Sequence, residues 1–373
     1  MPEKFKPAKS ETSDLAVLEL KADLNSEQRE YLEVLKDKMK KILGGKTKEQ
    51  LAKAGDLATL KNYKNVLDDI LEFLETKEIK EGELEKKFEL KKQYDEQVKT
   101  LREVEILEKL SNGNWGIKDM LGQERPIPSY EEIRERMKAE TEMLDKKREQ
   151  GFTRLLLVPI GMKLSEIVDK AGKLIIKKHK DGKLLGTDGT KLELDENQPI
   201  YVDDIYKDAD VKGDLVYGVK KFDKVNHGGK TKEELLKDKD NPNPGWQVMF
   251  IEDMPDLPAQ GKGKEIEGRK QLEANQSPEQ YLETIQTDKQ YQGEQFTTPE
   301  AQLIYLLQYL QNHNQMIDDW DGKGKSCWNA GAYFKSGLVP NGRWNRSSKR
   351  FDLYGNFPVN RDDYDTVRSS VGV

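Results

Sequence analysis

Metal ligands are few and scattered in this chain. Its three histidines, His179, His227 and His313, lie far apart, and the sequence contains neither a CxxC nor an HExxH motif. A zinc or iron site needs several His, Cys or carboxylate ligands close together. The sequence therefore predicts no metal and no cofactor, and the histidines are interpreted as surface or partly buried side chains.

Motifs for nucleophilic catalysis and phosphate binding are equally weak. The single cysteine, Cys327, has no neighbour in sequence that would clearly lower its pKa, and it is interpreted as a small buried hydrophobe. No GxSxG elbow is present. The segments GKGK at 261–264 and GKGKS at 322–326 lack the GxxxxGK[ST] spacing of a phosphate loop, so they are interpreted as glycine-rich turns.

Adjacent carboxylates occur at Asp318-Asp319 and at Asp362-Asp363. Such pairs could serve acid–base chemistry or bind calcium, but no EF-hand spacing surrounds them. No catalytic motif stands out. The sequence therefore predicts a protein that is not an enzyme, with an enzyme whose site is unrecognised kept as an alternative.

The segment 341–373, NGRWNRSSKRFDLYGNFPVNRDDYDTVRSSVGV, mixes two kinds of position. Apolar residues, Phe357 among them, recur through it and are interpreted as structural. Between them stand Asn, Ser, Asp, Tyr and Arg, the residue types that antibody binding loops favour. Buried anchors would hold such a segment rigid, which a binding surface needs and a linker does not. The polar positions are Asn341, Arg343, Asn345, Ser347, Ser348, Asp352, Tyr354, Asn356, Asn360, Asp362, Asp363, Tyr364 and Asp365.

This tail resembles the variable region of the target proteins of diversity-generating retroelements. The resemblance rests on a turn from Gly337 to Pro340, on Trp344, and on the final Arg368-Ser369-Ser370-Val371. The preceding segment, 297–325, and three segments further upstream also resemble members of this family, so the resemblance covers about 150–373. Those proteins have a C-type-lectin-like fold of the formylglycine-generating-enzyme type.

The resemblance implies a non-catalytic ligand-binding protein whose tail is diversified at adenines during reverse transcription. The variable region would span about 341–365, and the polar positions above would contact a protein or other macromolecular ligand. Arg343, Tyr354 and Tyr364 would be its binding hot spots. The scaffold anchors would be Trp320, Trp328, Trp344, Phe351, Leu353, Pro358 and Val367, with the three tryptophans packed beneath the binding face.

The implied fold also gives expectations about strands and chemistry. The first strand, 153–160, would lie beside the last, 366–373. Sugar-binding C-type lectins use Glu-Pro-Asn or Gln-Pro-Asp to hold calcium, and neither tripeptide occurs. Formylglycine-generating enzymes use a cysteine pair, which Cys327 alone does not provide.

Predicted helices fill residues 1–150 and a mixture of helices and strands follows, which predicts an α+β protein with a helical N-terminal region. The resemblance implies that 151–373 is a C-type-lectin-like domain. Helices are predicted from apolar periodicity and caps, including a capping box at Ser129 and Glu132 and an N-cap at Thr298. The predicted helices are 25–45, 57–77, 82–113, 128–151, 163–179, 277–286 and 298–314. The predicted strands are 152–161, 198–202, 214–219 and 246–254.

The bulk composition limits the partners. Charged residues make up 35% of the 373 residues, and the net charge of -6 argues against nucleic acid. No apolar run is long enough for a membrane span. The absence of an apolar signal segment predicts the cytoplasm, while display on a cell surface or phage particle by another route stays open. A third alternative is a helical assembly protein, in which the front helices join chains into a homo-oligomer.

Overall fold

The computed structural model describes residues 26–46, 50, 52, 56–76, 88–241, 243–322 and 324–373. The chain divides into two compact units, Met1–Glu83 and Leu84–Val373. Both helices and sheets are present, which confirms the predicted mixed α+β class. Among the described residues, no helix is long and apolar enough to cross a membrane.

Among the described residues of the first unit, two helices pack together. The predicted helices 25–45 and 57–77 are confirmed as α1 (Ser26–Leu43) and α2 (Leu57–Thr76). Their apolar residues recur every three or four positions, so each helix has one buried stripe. The stripes meet in a small core that includes Tyr31, Leu35, Val66 and Ile70.

Two helices of the second unit begin at the capping residues that the sequence predicts. The capping box at Ser129 and Glu132 and the Thr298 cap, which accepts the Ala301 N–H, are both confirmed. The helices of the second unit are α3 (Leu90–Glu103), α4 (Tyr130–Ala139), α5 (Thr141–Glu149), α6 (Leu164–Lys180), α7 (Ala209–Lys212), α8 (Lys232–Leu236), α9 (Pro278–Thr287) and α10 (Pro299–His313).

Two predicted helices were wrong in extent. Of the prediction 82–113, residues 82–87 lie outside the described residues, and at the other end α3 stops at Glu103 because the chain turns at Val104 and Glu105 and then enters a small sheet. The prediction 128–151 divides at Glu140, whose backbone leaves helical geometry between α4 and α5.

The strands of the second unit form several sheets. Two carry the architecture: a core sheet in the order β11-β17-β8-β4, and a face sheet in the order β16-β12-β14-β15-β5. The strands are β1 (Glu108–Lys109), β2 (Trp115–Lys118), β3 (Glu124–Pro126), β4 (Phe152–Val158), β5 (Ile200–Val202), β6 (Leu215–Tyr217), β7 (Lys230–Thr231), β8 (Gln247–Glu252), β9 (Glu265–Ile266), β10 (Arg269–Lys270), β11 (Glu294–Phe296), β12 (Ser326–Trp328), β13 (Ala332–Phe334), β14 (Val339–Asn345), β15 (Arg350–Asn356), β16 (Asp365–Val367) and β17 (Ser369–Gly372).

The prediction that the first and last strands are neighbours was wrong. β4 and β17 share the core sheet, but β8 lies between them and pairs antiparallel with both. β8 reads QVMFIE and is almost wholly buried, so its apolar side chains belong at the centre of the sheet rather than at its edge.

The predicted boundary at residue 150 also differs from the structure, because α3 packs along β4. On this edge of the core sheet, the Gln93 and Gln97 side chains accept hydrogen bonds from the backbone N–H groups of Leu155 and Leu157, each at 2.9 Å. An uncovered sheet edge is a template for aggregation, and here the helix covers it. Residues 88–150 are therefore part of the same compact unit as the tail.

Candidate functional site

The β14–β15 hairpin separates the predicted anchors from the predicted binding positions. Strand side chains alternate between two faces. Trp344 pairs with Phe351 across the hairpin, and Gly342 pairs with Leu353. The Trp344, Phe351 and Leu353 side chains are fully buried in the main core. On the opposite face, Arg343 pairs with Asp352, Asn345 with Arg350, and Asn341 with Tyr354.

Three of the predicted ligand-contacting residues are buried, which corrects the expectation that they face solvent. Asn341, Asp352 and Asp365 all lie below one-tenth exposure. Asn341 donates to the Asp365 carboxylate at 3.2 Å, and Asp352 is held by Asn345 at 2.9 Å and by Arg350 at 3.0 Å. Alternation places these residues on the outward face, but neighbouring elements then cover them.

Five side chains form an aromatic–cation cluster on the outward face: Trp320, Lys325, Arg343, Tyr354 and Tyr364. The Arg343 guanidinium lies 3.9 Å from the Trp320 ring centre and 5.1 Å from that of Tyr354. Tyr364 meets Trp320 edge-on with ring centres 5.6 Å apart, and the Lys325 ammonium lies 5.6 Å from the Tyr364 ring centre. Each cation of the cluster thus lies against at least one aromatic ring, an arrangement that the ring quadrupole favours.

Trp320 differs from its predicted role as an anchor beneath the face. Its side chain is only partly buried, and it forms part of the surface that Arg343 and Tyr364 share. Its backbone N–H donates to the Trp344 carbonyl at 3.2 Å, which fixes the ring beside the hairpin. The other two predicted tryptophan anchors, Trp328 and Trp344, are fully buried.

The loop after β15 adds apolar surface. Phe357 and Val359 are 58% and 63% exposed, and Tyr364 is 48% exposed, whereas Pro358 between them is buried. Phe357 was interpreted as a structural residue, and the structure instead places it at the surface. The Asp362 carboxylate accepts the backbone N–H groups of Tyr364 and Asp365 at 2.7 and 2.9 Å, which holds the end of the loop.

The remaining predicted binding positions lie at the ends of the hairpin and in the loop. Ser347 and Asp363 are exposed, and Ser348, Asn356 and Asn360 are partly buried. The Asn345 side-chain oxygen accepts the N–H groups of Ser347 and Ser348, which shapes the tight turn. Asn360 donates to the Asn356 side chain within the loop.

A buried polar layer lies beneath the aromatic–cation cluster. Ser326 lies 3.4 Å from the Tyr354 hydroxyl, and Asp365 lies in strand register with Ser326. Burial, with a further contribution from the nearby Asp362 carboxylate, raises the pKa of Asp365 to about 7. Anchor residue Val367 continues this strand into the core.

The two adjacent aspartates singled out in the sequence are held by arginines. Asp318 is fully buried and accepts from Arg368 at 2.9 Å and from Gln302 at 2.7 Å. Asp319 receives Arg346 through two contacts, Nε–Oδ1 at 2.9 Å and Nη2–Oδ2 at 2.5 Å. Both carboxylates therefore position the face instead of acting as free acids or bases.

Two glycines enclose the Arg346–Asp319 pair, a feature that the sequence interpretation missed. A methyl group on Gly186 or on Gly322 would lie 2.5–2.6 Å from the Arg346 Nη2 and Asp319 Oδ2 atoms. Only glycine leaves room for the ion pair between the two turns. Gly322, the first glycine of the GKGKS segment, is thus needed for the packing of this ion pair.

The thiol and the metal-ligand residue types singled out in the sequence can now be placed. Cys327 is fully buried, and burial raises the pKa of its thiol well above the ordinary range. Among the described residues, no cluster of His, Cys, Asp and Glu could hold a metal ion. A cleft of about 490 Å³ lined by Glu105, Glu166 and Lys170 lies outside the tail.

A buried charge cluster around Lys232 lies elsewhere in the second unit. The Lys232 ammonium contacts Asp210 at 2.8 Å, Glu300 at 3.0 Å and the Met162 carbonyl at 2.6 Å, and all three charged side chains are at most 4% exposed. Tyr217 donates to Glu300 at 2.7 Å. Each donor of the ammonium has a partner, so this network joins elements of the core.

Comparison with protein-family models, curated proteins and solved structures gives no match for this chain. The interpretation of the site rests on its own geometry.

Proposed function

We propose that this protein is a non-catalytic ligand-binding protein of the diversity-generating-retroelement target type, with a C-type-lectin-like second unit. The observation that carries the proposal is the hairpin β14–β15. One face of it is locked into the core by Trp344, Phe351 and Leu353, and the other presents the aromatic–cation cluster. The backbone is fixed independently of the side chains that would meet a ligand.

The composition of the outward surface supports recognition. Tryptophan, tyrosine and arginine are the residues most enriched at interface hot spots. Phe357, Val359 and Tyr364, all in the loop after β15, also expose large apolar side chains. Several exposed apolar groups on one loop favour an interaction site.

The enzyme alternative has less support. The buried thiol of Cys327 and the paired states of Asp318, Asp319 and Lys232 leave these groups engaged in the fold. A catalytic site usually combines a concave pocket with convergent titratable groups. At the tail, the outward face instead presents the aromatic–cation cluster, with Tyr364 48% exposed.

The proposal is tested by randomising the face and asking whether binding can be reprogrammed. One library varies Arg343, Ser347, Tyr354, Asp363 and Tyr364 in the full chain, and keeps Asn345 because its side chain shapes the turn. It is selected separately against lysozyme, ribonuclease A and serum albumin. We expect folded binders to each target, with different residues at the varied positions, because the anchors hold the backbone.

A control library of equal size varies exposed positions of α6, such as Asp169, Lys173 and Lys180. It should give folded clones but few or no binders, since a helix surface of long charged side chains loses more entropy on binding. Equal recovery from both libraries, or no binders from the tail library, would refute the proposal.

A further inference from the structure

Arg343 differs from the other described arginines of the tail in having neither a hydrogen-bond nor an ion-pair partner among the residues that the structure describes. Arg346 pairs with Asp319 and Asp188, Arg350 with Asp352, and Arg368 with Asp318. Arg361 donates to the Asn275 side chain. Arg343 makes no hydrogen bond or ion pair with any residue that the structure describes. From this contrast we propose that Arg343 is a receptor for a carboxylate on the ligand, an inference that rests on the proposed function.

The guanidinium is already oriented and partly dehydrated. Trp320 and Tyr354 lie against it at 3.9 and 5.1 Å, and its Nε atom is enclosed without a hydrogen-bond partner. Stacking on the two rings removes much of the rotational freedom that an exposed arginine would lose on binding. The conformational entropy that a flexible charged side chain loses on binding ordinarily reduces the affinity of its contacts.

The nearby acidic groups are engaged elsewhere. Asp321 accepts the Arg346 backbone N–H, Asp362 accepts two backbone N–H groups, and Asp352 pairs with Arg350 and Asn345. Asp365 is buried and hydrogen-bonded to Asn341. The positive charge of Arg343 is thus not neutralised by a direct contact within the described residues.

The partner that fits is an acidic side chain flanked by apolar residues on a protein. The planar fork of a guanidinium matches a carboxylate through two parallel hydrogen bonds. The rings of Trp320, Tyr354 and Tyr364 beside it would receive the apolar neighbours. A phosphate group would fit less well, because phosphopeptide sites use clusters of arginines, and Arg343 has only Lys325 beside it in the aromatic–cation cluster.

The test uses a phage-displayed library of random twelve-residue peptides selected on the immobilised full chain. We expect enrichment of Asp or Glu next to Leu, Phe, Tyr or Trp. A synthetic copy of the most enriched peptide should bind Arg343→Gln about 10- to 100-fold more weakly. Replacing its acidic residue by Asn or Gln should weaken binding to the original chain by a similar factor and to Arg343→Gln hardly at all.

The matched control is Arg361→Gln, which removes an exposed arginine of the same tail and should leave the affinity unchanged. Arg343→Lys keeps the positive charge but cannot form two parallel hydrogen bonds to a carboxylate. Its affinity for the peptide should therefore lie between those of Arg343→Gln and the original chain. Circular dichroism and thermal unfolding verify that each variant is folded.

The outcomes separate the two proposals. Peptides that lose affinity with Tyr364→Ala or Trp320→Ala but carry no acidic residue would overturn the carboxylate inference and support the binding function. Phosphorylated copies of the enriched peptides that bind more tightly than the acidic ones would also overturn it. No enrichment over a bare surface, or binding unaffected by all three face substitutions, would overturn both proposals.

Discussion

At the scale of single residues, the tail shows how one residue type takes different roles according to its neighbours. Arg346 and Arg368 form ion pairs with aspartates, whereas the guanidinium of Arg343 stacks on aromatic rings. The aspartates of the tail likewise differ in their burial. Asp363 is exposed, whereas Asp365 is buried beneath the face and carries a raised pKa.

Asp365 should make the stability of the second unit depend on pH. Burial raises its pKa from the ordinary 3.8 to about 7, so the folded chain binds more protons than the unfolded chain between these values. The contribution of this group to the free energy of unfolding therefore decreases as pH rises from 4 to 7, and stays low above 7.

Asp365→Asn removes this titration. We expect the variant to be more stable than the original chain by about 1 to 4 kcal/mol at pH 8 and little changed at pH 4. Urea unfolding at several pH values measures the difference. Asp363→Asn is the control and should show no such trend. A stability difference that is the same at pH 4 and pH 8 would contradict the role of Asp365.

At the scale of elements, the β14–β15 hairpin depends on a close approach at Gly342. A Cβ atom there would overlap the Gln302 side-chain oxygen. Gln302 cannot move aside easily, because its amide group donates to Asp318 at 2.7 Å and to the Gly342 carbonyl at 3.0 Å, and accepts from Asn329 at 2.6 Å.

Gly342→Ala should therefore lower the free energy of unfolding by about 1 to 3 kcal/mol, the usual cost of overpacking. Chemical unfolding measures the effect. Gly372→Ala is the matched control, since the nearest atom to a Cβ there is Gln295 Nε2 at an ordinary 3.5 Å. If both substitutions cost the same, the hairpin does not depend on this contact.

The elements also show where sequence patterns are sufficient and where they are not. Capping residues predicted where two helices begin, directly after Ser129 and Thr298, because a cap acts within one helical turn. Alternation predicted that Trp344 and Asn345 point to opposite faces. It could not predict that Asn341, Asp352 and Asp365 would be covered, because their cover comes from distant segments. Nor could it predict that β8 separates β4 from β17, since strand order depends on long-range pairing.

At the scale of the whole molecule, the second unit has its own core and begins before the predicted boundary. The side chains of α3 cover the edge of β4, and Lys147 of α5 pairs with Glu294 at 2.6 Å. Glu294 also receives Arg269 at 2.7 Å, so elements far apart in sequence join beneath the core sheet.

A fragment of residues 84–373 should fold alone. We expect its unfolding midpoint in urea to be within the error of the full chain's second-unit transition, because its core is self-contained. A fragment of 151–373 is the comparison. It lacks α3, which covers the edge of β4, and Lys147, which pairs with Glu294. It should therefore unfold at a lower urea concentration or aggregate. Equal stability of the two fragments would show that the boundary lies at 150 after all.

Removing 1–83 also tests the assembly alternative. If the front helices join chains, the mass of the 84–373 fragment in solution should fall to that of a monomer while the full chain remains larger. Sedimentation measures both. Equal assembly states would exclude a role for the first unit in joining chains.

The strands at the end of the chain have one more consequence. β16 pairs with β12 in the face sheet, and β17 follows after Arg368 and lies between β11 and β8 in the core sheet. Translation that stopped inside residues 341–365, the segment that the proposed function takes to be diversified, would therefore omit a central strand of the fold. Frameshifted and prematurely ended products should fail to fold and be degraded, so only sequences read through in frame would display a surface.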